Sequence, residues 1–115
     1  MRTLAVRLDS MGDVLLTGPA LRALAADSDH LTLLCGPRGR AAAELLPGID
    51  DLVCWRSPWI DPEPEPVDPT DVADLVATLA AGRFDRAVVF TSFHQSPLPT
   101  ALVARLAGIA WVGAI

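Results

Sequence analysis

The chain has 115 residues, the length of one domain or part of one, and 51% of them are apolar, ample for a core. A net charge of −5 and the absence of any lysine cluster argue against a nucleic-acid surface or an anionic membrane surface, both of which need a positive patch. No stretch approaches the ~20 apolar residues of a membrane span, and Arg7, Asp9 and Asp13 break up the N-terminal run before signal-peptide length, so the expectation is a soluble cytoplasmic protein with at most peripheral membrane contact.

Short apolar runs recur along the chain. Thr3 to Leu8, Leu31 to Cys35, Leu52 to Trp55, Phe84 to Thr91 and Ile109 to Val112 read as strands, with helical patterns between most of them. That alternation predicts an α/β fold, a Rossmann-like doubly wound parallel sheet with helices on both faces. The first helical pattern runs from about Val14 to Ala26, with Leu16, Ala20 and Leu24 on one stripe. Pro19 inside it predicts a kink near Thr17 and Gly18. Asp27 to His30 then reads as a turn, and Arg38 to Leu46 as a short helix stopped by Pro47 and Gly48.

Between Arg56 and Asp68, prolines 58, 62, 64 and 66 alternate with Asp61, Glu63 and Glu65, which predicts an extended, mobile loop. The next helix is well marked: Asp68 as cap, Pro69 at the first helical position, Asp71 in the first turn, a stripe of Val72, Leu75, Val76 and Leu79, and Gly82 as stop. A last helix spans Leu98 or Pro99 to Leu106 and ends at Gly108. Cys35 and Cys54 sit in apolar runs and read as buried thiols rather than a disulfide framework or a metal pair. The apolar ending Trp111 to Ile115 reads as an edge strand, which predicts that 1–115 is part of something longer.

Right-handed crossovers with a central first strand give the order 3-2-1-4-5 and a topological switch point between strands 1 and 4. Ligands of such sheets bind outside the carboxyl ends of the strands there. Two loops meet at that crevice, Asp9 to Asp13 and Thr91 to Ser96, with the proline-rich loop on the same sheet edge as a candidate lid. A dinucleotide fingerprint or a phosphate loop is poorly supported, since Gly12 stands alone after strand 1 and no Gly-Lys pair follows it.

Asp13 has two readings. A carboxylate at the crevice mouth can act as general base, but Ser10 three residues before it resembles a capping box, and Asp13 itself can cap the helix. His94 is a ligand contact, an acid or base, or a solvated loop residue. Asp9, Asp13 and His94 together offer a divalent-cation set whose spacing is not diagnostic. Trp55 and Trp59 either stack on a sugar face or anchor the loop.

The run Arg7-Leu-Asp-Ser-Met-Gly-Asp13, followed by Val-Leu-Leu-Thr-Gly-Pro-Ala-Leu-Arg-Ala-Leu24, resembles the N-terminal signature of glycosyltransferase family 9, the heptosyltransferase-like glycosyltransferases. Arg83 to Phe90 and Ala104 to Gly108 extend the resemblance along the chain. It implies the N-terminal, acceptor-side half of a GT-B-type enzyme of two facing Rossmann-like domains, with a donor-binding half outside residues 1–115. The implied reaction is an inverting sugar transfer, without metal or cofactor, from a nucleotide-diphosphate donor, often ADP-heptose, to a hydroxyl of a glycan or glycolipid in cell-envelope or lipopolysaccharide biosynthesis. Asp13 would be the catalytic base, with Ser10, Met11, Gly12, His94, Gln95 and Ser96 around the substrate. These residues alone should not turn over. The alternative is a non-catalytic Rossmann-like binding or interaction module.

Overall fold

In the computed structural model, which describes residues 1–115, β1 (Arg2–Arg7) lies at the centre of a five-stranded parallel sheet. On one side of it are β2 (His30–Cys35) and β3 (Asp51–Cys54), and on the other β4 (Arg86–Val89) and β5 (Trp111–Ala114), giving the order β3-β2-β1-β4-β5. This is the order expected from the sequence, and every neighbouring pair is parallel.

The connections divide between the two faces. Leu4 and Val6 of β1 point into a cluster with Leu75 and Leu79 of α4 (Pro69–Ala81) and Val103 and Ala104 of α5 (Leu98–Leu106). Ala5, between them, joins the other cluster with Val14 of α1 (Met11–Leu16), Leu21 of α2 (Gly18–Ala26) and Ala42 and Ala43 of α3 (Arg40–Ala43). A central parallel strand buried on both faces needs such a run of apolar residues rather than an alternating one.

The first helix departs from expectation in two ways. It begins at Met11 rather than Val14, because Ser10 takes the N-cap position. It is also interrupted at Thr17, because Pro19 has no N–H to continue the ladder; Thr17 keeps a right-handed conformation and its Oγ1 and amide both bond to the Asp13 carbonyl (2.8 and 3.2 Å), so the predicted kink becomes two helices, with Pro19 in the first turn of the second. His30 belongs to β2, not to the preceding turn. The helix expected over Arg38 to Leu46 shrinks to Arg40–Ala43, a single turn flanked by turns. β4 is shorter than Phe84 to Thr91, and β5 starts at Trp111 because Ile109, 1% exposed, plugs the core beneath α5 instead of pairing.

The marked helix over Pro69–Ala81 forms as read: Asp68 accepts from the Thr70 amide at 2.9 Å, and Leu75 and Leu79 are buried. Gly82 ends it in an ordinary right-handed conformation, and Arg83 takes the left-handed one (φ 50°). The proline-rich segment is extended only in part. It opens with a turn in which Ser57 O accepts from the amides of Ile60 and Asp61, and Arg56 pairs with Asp61 across it at 2.5 Å. No helix is long and apolar enough to cross a membrane.

Candidate active site

The carboxyl ends of β1 and β4 frame a cleft of about 520 Å³ at the topological switch point. The loop after β1 brings Asp9 and Asp13 to it, the loop after β4 brings Ser92, His94, Gln95 and Ser96, the turn after β2 brings Arg38, and the segment after β3 brings Trp59, Ile60 and Pro62. Four separate connections therefore meet at one edge of the sheet.

Arg7, the last residue of β1, organises the floor. Its Nε lies 2.8 Å from Asp9 Oδ1, and its Nη2 lies 3.2 Å from Asp13 Oδ1 and donates to Ser92 Oγ at 3.0 Å. Ser92 in turn donates to Asp9 Oδ2 at 3.3 Å. The Arg7 and Asp9 side chains are nearly buried, at 11% and 7% exposure, whereas Asp13 keeps 32%. One guanidinium thus ties the β1 loop to the β4 loop and, of the two carboxylates lining the cleft, leaves Asp13 the more exposed. The sequence reading missed this role, because it depends on Arg7 turning back from the strand end toward both acids.

Asp13 sits at the third position of α1. Its Oδ2 accepts from Ser10 Oγ at 2.7 Å and, more weakly, from the Ser10 amide at 3.4 Å, the return half of a capping box. Foremost the Ser10 hydroxyl, with the Ser10 amide and Arg7 adding to it, holds its carboxyl below the ordinary carboxylate range, outweighing burial, which is the next largest effect and acts in the opposite direction. Asp13 is therefore ionised throughout the neutral range. The cap and a proton-accepting role do not compete for the same atoms, since each carboxylate oxygen carries two lone-pair sites.

The other residues expected at the site divide in their placement. His94 is exposed at the cleft wall, its ring edge-on to Phe93 at 5.4 Å. Gln95 turns its amide oxygen back to the Ser92 N–H (2.9 Å), and Ser96 Oγ accepts from the Leu98 amide at the start of α5 (3.2 Å), so both shape the loop as well as line the cleft. Ser10 contacts Asp13 rather than lining the cleft. Met11 is half exposed, and Gly12 faces open space. Arg38 and Ile60 line the cleft without having been singled out, since nothing in an isolated Gly-Pro-Arg-Gly turn shows which way its arginine faces.

The tryptophans anchor the segment after β3. Trp55 Nε1 donates to Asp71 on α4 and Trp59 Nε1 to Thr100 on α5, both at 3.0 Å, with the two rings 5.2 Å apart. Trp59 still presents a partly exposed face to the cleft. Between Asp9 and Asp13, where a cation bridging them would sit, stands the Arg7 guanidinium, and no group of three or more His, Cys, Asp or Glu side chains is arranged to hold a metal ion.

No protein-family model and no curated protein sequence matches the chain. Solved structures do. ADP-heptose lipopolysaccharide heptosyltransferase II of Escherichia coli superposes with a TM-score of 0.73 at 20% identity, over 99% of this chain and 30% of its own. The chain has the parallel α/β fold of one part of this glycosyltransferase. A family 9 glycosyltransferase from Veillonella parvula matches with a TM-score of 0.68 at 18% identity, over 96% of this chain and again 30% of its own. The chain thus spans about a third of the length of these two structures. The C-terminal domain of a hydrogenase from Pyrococcus furiosus also matches, with a TM-score of 0.55 at 14% identity, over 97% of this chain and 90% of its own. The same fold serves unrelated chemistries, so function must be argued from the cleft.

Proposed function

We propose that this chain is the acceptor-binding part of an inverting glycosyltransferase that moves a heptose or related sugar from a nucleotide-diphosphate donor to a glycan or glycolipid hydroxyl. The observation that carries the reading is Asp13: an ionised carboxylate, oriented by Ser10 and Arg7, one-third exposed at the switch-point cleft of a fold shared with two glycosyltransferases.

In this reading an acceptor hydroxyl enters the cleft and donates its hydrogen bond to Asp13. As the hydroxyl oxygen attacks the anomeric carbon, the bond to the nucleotide diphosphate breaks with its electron pair, and Asp13 takes the hydroxyl proton. Displacement from the opposite face inverts the anomeric centre. The hydrogen bonds from Ser10 weaken Asp13 as a base but keep it free of protons and fixed in direction, and positioning of that kind contributes to rate on its own. Trp59 offers a ring face for the acceptor sugar, and His94, Gln95 and Ser96 offer polar contacts across the cleft. Arg38 at the rim supplies a positive charge for an anionic group on either substrate. The donor is bound by a further domain.

The test is Asp13→Asn in a protein joining this chain to its donor-binding half. Transfer should fall by at least about a hundredfold, the scale of general-base catalysis, with acceptor binding nearly unchanged and the protein still folded, its thermal midpoint lowered by loss of the Asp13 charge beside Arg7. Turnover near the parent level would overturn the assignment. A non-catalytic binding module predicts acceptor binding without any transfer dependent on Asp13.

A further inference from the structure

The chain has two cysteines, and the sheet register sets them side by side: Cys35 ends β2, Cys54 ends β3, and the two are direct partners across the strand pair. Cys35 is fully buried, whereas Cys54, expected to be buried, is exposed because β3 is the edge strand. In-register residues on neighbouring strands stand about 4.8 Å apart, inside the roughly 4.4–6.8 Å Cα span that a disulfide bridges. Partners in a parallel pair point to the same face of the sheet, and the Cys54 thiol lies against that of Cys35. The guanidinium of Arg40, bonded to Glu44 at 3.1 Å, lies beside Cys54 on the outer side.

We propose that Cys54 and Cys35 form a peroxide-sensitive thiol pair, with Cys54 as the reacting thiol and Cys35 as the resolving one, closing a disulfide between the ends of β2 and β3. The division of labour follows from position. Cys54 is reachable by a hydroperoxide from solvent, while Cys35 is buried behind it and is reachable only by Cys54. Burial, with the neighbouring Cys54 adding to it, pushes the Cys35 thiol up to about 11, so it stays protonated and inert toward solvent oxidants at neutral pH.

The chemistry balances in two steps. The Cys54 thiolate attacks one oxygen of the hydroperoxide, the O–O bond breaks, and an alkoxide or hydroxide leaves and takes up a proton, so that sulfur is oxidised to the sulfenic acid and the peroxide is reduced. The Cys35 sulfur then attacks the Cys54 sulfur, the S–O bond breaks, and the departing hydroxide takes the Cys35 proton and leaves as water. An exposed disulfide at an edge strand is of the readily reduced kind, which makes the bridge reversible.

The bridge bears on the cleft. Arg38 follows Cys35 by three residues and Trp59 follows Cys54 by five, and both line it. The Trp55 amide donates to the Cys35 carbonyl at 2.8 Å, so the strand ends are already coupled through the backbone.

The experiment exposes the dilute purified chain to hydrogen peroxide and follows intact mass, thiol titration and dimedone labelling. The expected product is a monomer lighter by two hydrogen atoms, with both thiols lost, no dimedone adduct, and full reversal by dithiothreitol. Cys54→Ser should leave Cys35 reduced under the same exposure, and Cys35→Ala should expose a dimedone-reactive sulfenic acid at Cys54. Accumulation of sulfenic or sulfinic acid at Cys54 in the parent chain, or a disulfide formed only between chains, would overturn the proposal. The parent-chain result alone decides it, whatever the stability of Cys35→Ala.

Discussion

Arg7 Nη2 lies 3.2 Å from Asp13 Oδ1 while the same guanidinium holds Asp9 at 2.8 Å, so one cation serves two carboxylates of unequal exposure. Removing it would leave Asp9 buried without a counter-charge. Arg7→Gln should therefore destabilise the fold by about 3 kcal/mol, the scale for breaking a buried ion pair on one side. It should also raise the Asp13 pKa, because the Arg7 charge is one of the causes that depress it. Urea denaturation checks the first effect and carboxyl titration by NMR the second. Arg7→Lys should recover only part of either, since an ammonium cannot span both acids as the planar fork does.

Ser10 sets the acid-side behaviour. The folded-state pKa of Asp13 is depressed, so its contribution to stability is present above the unfolded carboxylate value and is lost as pH falls through the lower folded value. Ser10→Ala removes the largest cause of that depression and the N-cap hydroxyl with it. The variant should be about 1 kcal/mol less stable at pH 7, and the difference from the parent should narrow below pH 4 as Asp13 protonates in both. Urea midpoints at the two pH values measure this; a constant gap would remove the linkage from Asp13.

Two glycines near the site should respond in opposite directions. A Cβ at Gly36 would stand 2.6 Å from the Leu8 carbonyl oxygen, which is backbone and must shift, so Gly36→Ala should cost about 1–3 kcal/mol. A Cβ at Gly12 meets nothing within 4 Å, and the residue is helical, so Gly12→Ala should stabilise by about 0.5–1 kcal/mol. Thermal melts of the pair decide the signs. If Gly12→Ala gains stability but loses transfer in the joined protein, substrate approaches the backbone there.

Trp59 is the link between the proline-rich segment and α5. Trp59→Phe keeps the ring but removes the donor to Thr100 Oγ1, a hydroxyl on a residue only 5% exposed. An unmade bond of this kind costs about 1–3 kcal/mol, here spent locally. Amides of Ile60 and Asp61 should exchange faster with deuterium while those of β1 stay protected. Unchanged exchange at both would detach the segment's order from Trp59.

The strand order was legible because five apolar runs, separated by helical patterns and Gly or Pro stops, leave few right-handed arrangements open. The crevice followed from that order, and with it the meeting of Asp13 with the loop around His94. What the sequence could not show depended on side-chain direction. Arg7 reads as a strand terminus, Arg38 as a turn residue, and only the folded backbone aims one at Asp9 and Asp13 and the other at the cleft. Cys54 looked buried because its run is apolar, and the exposure of an edge strand is a property of the sheet, not of the run. The interruption at Thr17 was visible in Pro19, which has no N–H to continue the ladder.

That break makes α1 a separate rod of six residues, Met11–Leu16, with Asp13 near one end. Its buried face is Val14, whose Cγ2 lies so close over Gly39 that a Cβ there would approach to 2.7 Å. Gly39 directly follows Arg38, so the turn after β2 packs directly on the buried side of α1. Asp13 and Arg38, which both line the cleft, thus stand on segments that meet at a single glycine, where any side chain would have to displace one segment or the other.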